Sequence, residues 1–167
     1  AQGSILKIGS IHPRSGFQAQ LGLACQRGID IAPKVLKAIG MNADVQVMSV
    51  DTESNVDTAR SRAEKLVNDG ANVLIGAFDS GQSAAIAQVA EQKGVPFIIN
   101  VAAAPQITEQ GYKFVFRNFP TAPMLVGGGL NLMKAVFEKS GVTPKTAVFM
   151  HANDTFGQSM AGAIKAM

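Results

Sequence analysis

The feature that most constrains this chain is a repeated alternation of short β-branched runs with helix-length amphipathic stretches. Ile5 to Ile11 is the first run, followed by a polar, glycine-containing loop and a helical pattern from Leu21 to Ile39 that Gly40 closes. Val45 to Val50 reads as a second strand. Asp57 to Asn68 reads as a second helix, with Asp57 near its start, Lys65 near its end and Gly70 just beyond. Val73 to Phe78 is a continuous apolar run of the kind buried on both faces, Gly81 to Lys93 a helix ended by Gly94, and Phe97 to Val101 a fourth strand. After a turn carrying Pro105, Thr108 and Gly111, Phe114 to Phe119 gives a fifth. Strands separated by helices of this length imply crossover connections and a mostly parallel sheet covered on both faces. The fold class is therefore α/β, doubly wound, with residues 1–119 forming one open lobe.

The unit restarts after Pro120 with a helix from Ala122 to Lys139, a strand from Thr146 to His151 and a helix beginning near Gly157. Residues 120–167 are expected to begin a second, incomplete lobe, because one strand and two helices cannot close a sheet core alone. Two local features resist the pattern. Pro33 lies inside the first helix, where a kink or early stop is expected. Gly127, Gly128 and Gly129 lie inside the helix after Pro123, where three glycines cost about 3 kcal/mol relative to alanine, and close packing or a hinge would account for them.

Composition removes several function classes. The 167 residues are 47% hydrophobic and 16% charged, so the chain reads as globular. The net charge of +3 comes from scattered Lys and Arg that are not interleaved with the aromatics, so nucleic acid is not an expected partner. No run of about eighteen apolar residues is present, and direct membrane insertion is not expected. Ala1-Gln2 is read both as the residue exposed by signal-peptide cleavage and as an arbitrary boundary. Cys25, alone among Leu21, Leu23, Ala24 and Ile29, reads as a small buried hydrophobe, without disulfide or thiolate metal site.

In open parallel sheets, ligands bind beyond the carboxyl ends of the strands, where strand order reverses. The loops expected at that edge are His12 to Gln18, Asp51 to Asn55, Phe78 to Ser83 and Val101 to Pro105. The stretch GAFDSGQSAA at 76–85 fits anion capture best, since free N–H groups at a helix start would be joined by the Ser80 and Ser83 hydroxyls. Ser80 also reads as a plain N-cap. Catalytic motifs are missing: the elbow G-x-S-x-G lacks a glycine around Ser80, no GxGxxG follows the first strand, and no GxxxxGK[ST] follows any. His12 and His151 fall at strand ends without metal-ligand spacing and read as polar rim residues. Asp51, Asp79 and Asp154 meet at the same edge, but a receiver-type Mg site needs an acidic pair after the first strand, and that stretch is Gly9-Ser10-Ile11-His12.

Four stretches together resemble one known family: GSIHPRSGFQAQLGLACQRGIDIA, the block from VMSVDTESNVDTARSRAEKL to AEQKGVPFI, ITEQGYKFVFRN, and VFMHANDTFGQSM with its ND-x-FG motif. The chain resembles the type I periplasmic substrate-binding proteins of ABC transporters, specifically the branched-chain amino acid binding proteins. That resemblance implies two α/β lobes with ligand clamped between them, of which this chain carries the first lobe and the start of the second. It also implies a periplasmic location, an ABC permease as partner, no cofactor and no enzymatic activity. Ser80 matches the family serine that holds the ligand carboxylate, with Phe78 and Asp79 beside it. Val101, Ala102 and Ala103 match an Ala-Ala-Thr stretch, so alanine stands where a threonine hydroxyl helps hold an α-ammonium. The implied ligand is a small carboxylate with an apolar body, aromatic or aliphatic, rather than a branched-chain amino acid. Phe156 matches an aromatic that covers the ligand from the second lobe, and Phe17 is a further candidate wall. With the second lobe incomplete, self-association or a swapped dimer is expected. Regulator or receptor domains of the same fold, and a receiver- or hydrolase-type enzyme, are the rival readings.

Overall fold

The computed structural model describes residues 5–41 and 44–167; Ala1-Gln2 lies outside the described residues. Five strands, β1 (Leu6–His12), β2 (Val45–Asp51), β3 (Val73–Gly76), β4 (Phe97–Ile99) and β5 (Val115–Arg117), form one all-parallel sheet in the order β2-β1-β3-β4-β5. The helices between them are α1 (Ala19–Ala38), α2 (Val56–Asn68) and α3 (Ser80–Lys93). Strand order reverses between β1 and β3, which sets a topological switch point at their carboxyl ends.

Side chains alternate across the sheet, and the two faces differ in chemistry. Gly9 faces α2, where a Cβ would meet Leu74, Leu66 and Ala71, and the apolar core of Leu66, Leu74, Ile86, Val89, Phe97 and Ile99 fills this side. Ser10 and His12 face α1, where the buried Gln26 accepts from Ser10 Oγ at 2.9 Å and donates to Ser49 Oγ at 2.9 Å. The expected α/β lobe with helices on both faces is therefore present, with an apolar interior on one side and a polar one on the other.

Helix ends follow local chemistry. Asn55 caps α2 by accepting from Thr58 N–H at 2.9 Å, and Asp79 caps α3 by accepting from Gln82 N–H at 2.8 Å. Gly94 ends α3 in the left-handed region, at φ 64°. α1 runs on through Pro33 without the expected stop: the missing N–H leaves only the Ile29 carbonyl without its helical partner, on a helix that is largely exposed. Cys25 is half-buried on that helix rather than in the core, and burial pushes its thiol pKa up, which suppresses the nucleophilic thiolate.

Beyond β5, α4 (Ala122–Ser140) and α5 (Thr155–Ala166) pack together, and α5 also packs against α3. The strand expected at Thr146 to His151 does not form. Val148 and Met150 are 90% and 89% exposed, and among the described residues no strand lies beside this run to complete a ladder, so its β-propensity has no backbone partner. α4 passes unbroken through its three glycines. A Cβ at Gly128 or Gly129 would meet open space, and one at Gly127 only the end of Met167, so close packing does not account for them. Gly128→Ala and Gly129→Ala are expected to stabilise the chain by up to about 1 kcal/mol each. Urea midpoints will check this, and a loss of stability would point to a packed or hinged role instead.

Candidate functional site

The turns leaving β1, β2, β3 and β4 gather at one edge, and their backbone geometry is tied tightly. Asp51, the last residue of β2, accepts at Oδ1 from the N–H groups of Arg14 (2.7 Å), Ser15 (3.2 Å) and Glu53 (2.9 Å). Partial burial alone would raise its pKa, but these hydrogen bonds outweigh that and hold the carboxyl below its ordinary value. The turn after β2 holds Glu53 and Ser54 in the left-handed region, both at φ 56°, a strained arrangement for two non-glycine residues. It aims Ser54 Oγ at the neighbouring loop, where it donates to the Ser15 carbonyl (2.7 Å) and accepts from Gln18 N–H (3.1 Å).

A second set of bonds shapes the loop after β4. The Arg117 guanidinium at the end of β5 donates to the carbonyl of Ala102, to that of Ala104 at 2.6 Å and to Thr108 Oγ1 at 3.2 Å. Ala102, Ala103 and Ala104 are buried, so this clamp presses a small-residue loop against α3. Ala104 N–H in turn donates to Ser80 Oγ at 3.4 Å.

Between this edge and the start of α5 lies a cavity of about 170 Å³, lined by Gln18, Phe78, Asp79, Val101, Ala102, Ala103, Asp154 and Phe156. Its walls are mainly apolar, and its polar groups are one amide and two carboxylates. Asp79 accepts from Gln82 N–H at one oxygen and from Gln18 Nε2, at 2.9 Å, at the other. Asp154 caps α5, accepting from Gly157 N–H at 2.7 Å. Gly157 is required there, since a Cβ would stand 2.1 Å from the Ala152 carbonyl. Among the described residues, the N–H groups of Ser80, Gly81 and Ala103 have no hydrogen-bond partner, and α3 directs its positive end towards this edge.

The fold thus brings Phe78, Asp79, Val101, Ala102, Ala103 and Phe156 to one cavity. Phe17 is 86% exposed and stands outside it. Ser80 is buried as the first residue of α3, with Asp79 as the cap, and its hydroxyl meets the Ala104 amide rather than lining the cavity. Ser83 is turned away altogether, donating to the Ala77 carbonyl at 3.0 Å, because its place on the helix faces the core. His12 is not a rim residue: it is buried in β1, bonded to Ser10 Oγ at 3.2 Å and Asn100 Nδ2 at 3.0 Å, and burial, with help from Arg14, lowers its pKa to about 4. His151 is exposed near the loop's own Ala152 carbonyl. Sequence reasoning did not single out Gln18, although it ends the first loop at the expected edge. No three His, Cys, Asp or Glu side chains are grouped as metal ligands among the described residues.

The pattern of the periplasmic binding proteins matches residues 5–167. This chain belongs to the periplasmic binding protein family. A Leu/Ile/Val-binding protein homologue from Brucella abortus is 28% identical over 162 residues, covering 94% of this chain and 40% of the relative. A leucine-binding protein from Thermotoga maritima superposes with a TM-score of 0.81 at 25% identity, covering 96% of this chain and 45% of that one. A solute-binding protein of an ABC transporter from R. palustris, solved with benzoate, gives a TM-score of 0.79 at 28% identity, covering 98% and 44%. The chain therefore spans less than half the length of the binding proteins it matches, and these relatives are binding proteins rather than enzymes.

Proposed function

We propose that the chain is the ligand-capturing lobe of an extracytoplasmic solute-binding protein that serves an ABC importer, with residues 120–167 beginning a second lobe. The observation that carries this reading is the cavity at the switch point, with apolar walls of Phe78, Val101 and Phe156, an unpartnered N–H on the lining residue Ala103, and the start of α3 directly after the lining residue Asp79, where the N–H groups of Ser80 and Gly81 are also unpartnered. Such donors at a helix start favour a carboxylate, and the apolar walls favour an apolar body. A volume of about 170 Å³ equals the share of about six waters in the liquid, which suits a small acid. Capture involves no bond chemistry. Ligand would dock on the lobe-one edge, and the element bearing Phe156 would close over it, favoured only by contacts stronger in the closed state. A periplasmic location and delivery to a permease belong to the same proposal, and membership of the family supports them. Leu132, Met133 and Val136, exposed along α4, are the surface on which the expected self-association would rest.

The favoured ligand is an aromatic or aliphatic carboxylate without an α-ammonium, because Ala103 offers a methyl where a hydroxyl would help hold that cation. An α-amino acid is the second reading, favoured by the carboxylates of Asp79 and Asp154 in the lining. Calorimetric titration with benzoate, 4-methylpentanoate and leucine separates the two, since the last pair differ only in the ammonium. The expected result is that one of the acids binds at least about tenfold more tightly than leucine. Leucine binding with both acids silent would reverse the assignment.

A further inference from the structure

Gln18 is held from three sides at the mouth of the cavity. Its backbone N–H donates to Ser54 Oγ at 3.1 Å, its Oε1 accepts from Gln82 Nε2 at 2.7 Å, and its Nε2 donates to Asp79 Oδ2 at 2.9 Å. Gln82 is itself fixed, since its Oε1 accepts from Thr52 Oγ1 at 2.5 Å, and both Gln82 and Thr52 are buried. The chain of bonds has one direction, from Thr52 through Gln82 and Gln18 to Asp79, so the Gln18 amide cannot exchange its oxygen and nitrogen without breaking two of them. The Gln18 Nε2 that donates to Asp79 at 2.9 Å therefore keeps one further N–H uncommitted, the accepting Asp79 oxygen keeps a lone pair, and both residues line the cavity.

A donor and an acceptor fixed side by side match a ligand group that accepts from one and donates to the other. An ammonium cannot accept, and a carboxylate cannot donate. A hydroxyl does both. We infer that the Gln18–Asp79 pair is a specificity element reading a hydroxyl on the ligand, so that the preferred ligand is a hydroxy-substituted carboxylic acid. This rests on the carboxylate reading above and adds the second polar group. Asp79, an anion at a site for an acid, is then accounted for: its charge is spread over hydrogen bonds from Gln18 and Gln82, and it takes the hydroxyl proton as a further donor.

The test is titration of the wild-type protein with benzoate, 3-hydroxybenzoate, 4-hydroxybenzoate and leucine, repeated with Gln18→Leu. At least one hydroxybenzoate is expected to bind about tenfold or more tightly than benzoate, because benzoate would cover the half-buried pair while leaving the remaining Gln18 N–H and Asp79 lone pair without a partner. In Gln18→Leu the ratio between the two affinities should fall towards one. The wild-type ratio stands as a test of its own if the variant does not fold. Hydroxybenzoates binding no better than benzoate, or a ratio unchanged in Gln18→Leu, would overturn the inference and leave the carboxylate reading intact. Leucine binding with no response to any benzoate would overturn both.

Discussion

Gly76→Ala is expected to cost more than about 4 kcal/mol, a large part of the roughly 5–15 kcal/mol that holds a domain folded. Gly76 ends β3 opposite Ile11 of β1, at φ 140°, in a region that residues with a Cβ rarely enter. A Cβ there would stand 2.0 Å from the Ile11 carbonyl oxygen, and that oxygen belongs to a central strand that cannot move aside without breaking the ladders to both neighbours. The substitution therefore combines a forbidden backbone conformation with a clash against backbone, and neither relaxes through a side-chain rotation. Because the chain leaves the sheet at this point to reach Phe78 and Asp79, ligand affinity should be lost together with stability. Urea denaturation checks the energy. A midpoint equal to wild type would mean that the exit from β3 is not built as described, whereas Gly128→Ala provides a control in which the added methyl meets nothing.

The second large effect is acid sensitivity in the window from pH 6.5 down to about 4, centred on His12. Burial, reinforced by Arg14, holds its pKa at about 4 against 6.5 for the free side chain. The surrounding hydrogen bonds agree with a neutral ring. Asn100 Nδ2 donates to Nε2, which leaves the proton on Nδ1 for Ser10 Oγ, and Ser10 passes its own proton to Gln26. Since the folded value lies below the unfolded one, the unfolded chain binds the proton first. Stability is therefore full above about pH 6.5, falls as the pH drops towards 4, and levels off below, with a total loss of about 3 kcal/mol. Asp51 acts in the opposite position on the scale. Its folded pKa is depressed, so its contribution is present above the unfolded carboxylate value and is lost only at more acid pH. The two are separable by pH. Urea midpoints measured between pH 4 and 7 should slope for the wild type and flatten in His12→Gln, and an equal slope in both would remove His12 as the cause.

The elements of the lobe were legible in the sequence because each carries its own signal. Strands of the Val73 type are apolar throughout, Asp57 marks the start of α2 and Gly94 the end of α3, and the periods of two and 3.6 differ plainly, whereas the capping side chains are Asn55 and Asp79 rather than Ser80. Strand ends were less legible. The apolar runs continue to Phe78 and Val101, but β3 ends at Gly76 and β4 at Ile99, since a strand extends only as far as its neighbour supplies hydrogen bonds. The failed strand at Thr146 to His151 has the same cause in stronger form. Polar residues are least legible where the deciding partner is distant in sequence. His12 looked like a rim histidine, yet Asn100, 88 residues away, and Gln26 on α1 make it an interior one.

For the candidate site, local sequence determined which loops meet. The alternation of strands and helices imposes a parallel sheet, a parallel sheet has a carboxyl edge, and the residues Phe78, Asp79 and Val101 to Ala103 follow strands that end on it. Tertiary structure decided which atoms face the cavity. Ser80, singled out for its hydroxyl, is turned by the first turn of α3 towards Ala104, while Gln18 enters the lining because Gln82, 64 residues away, and Ser54, on a strained turn, hold it there. The physical reason is the range of the interactions. Backbone periodicity and capping act over a few residues and are written in neighbouring letters, whereas the orientation of a polar side chain is set by donors and acceptors that only the folded sheet brings within 3 Å.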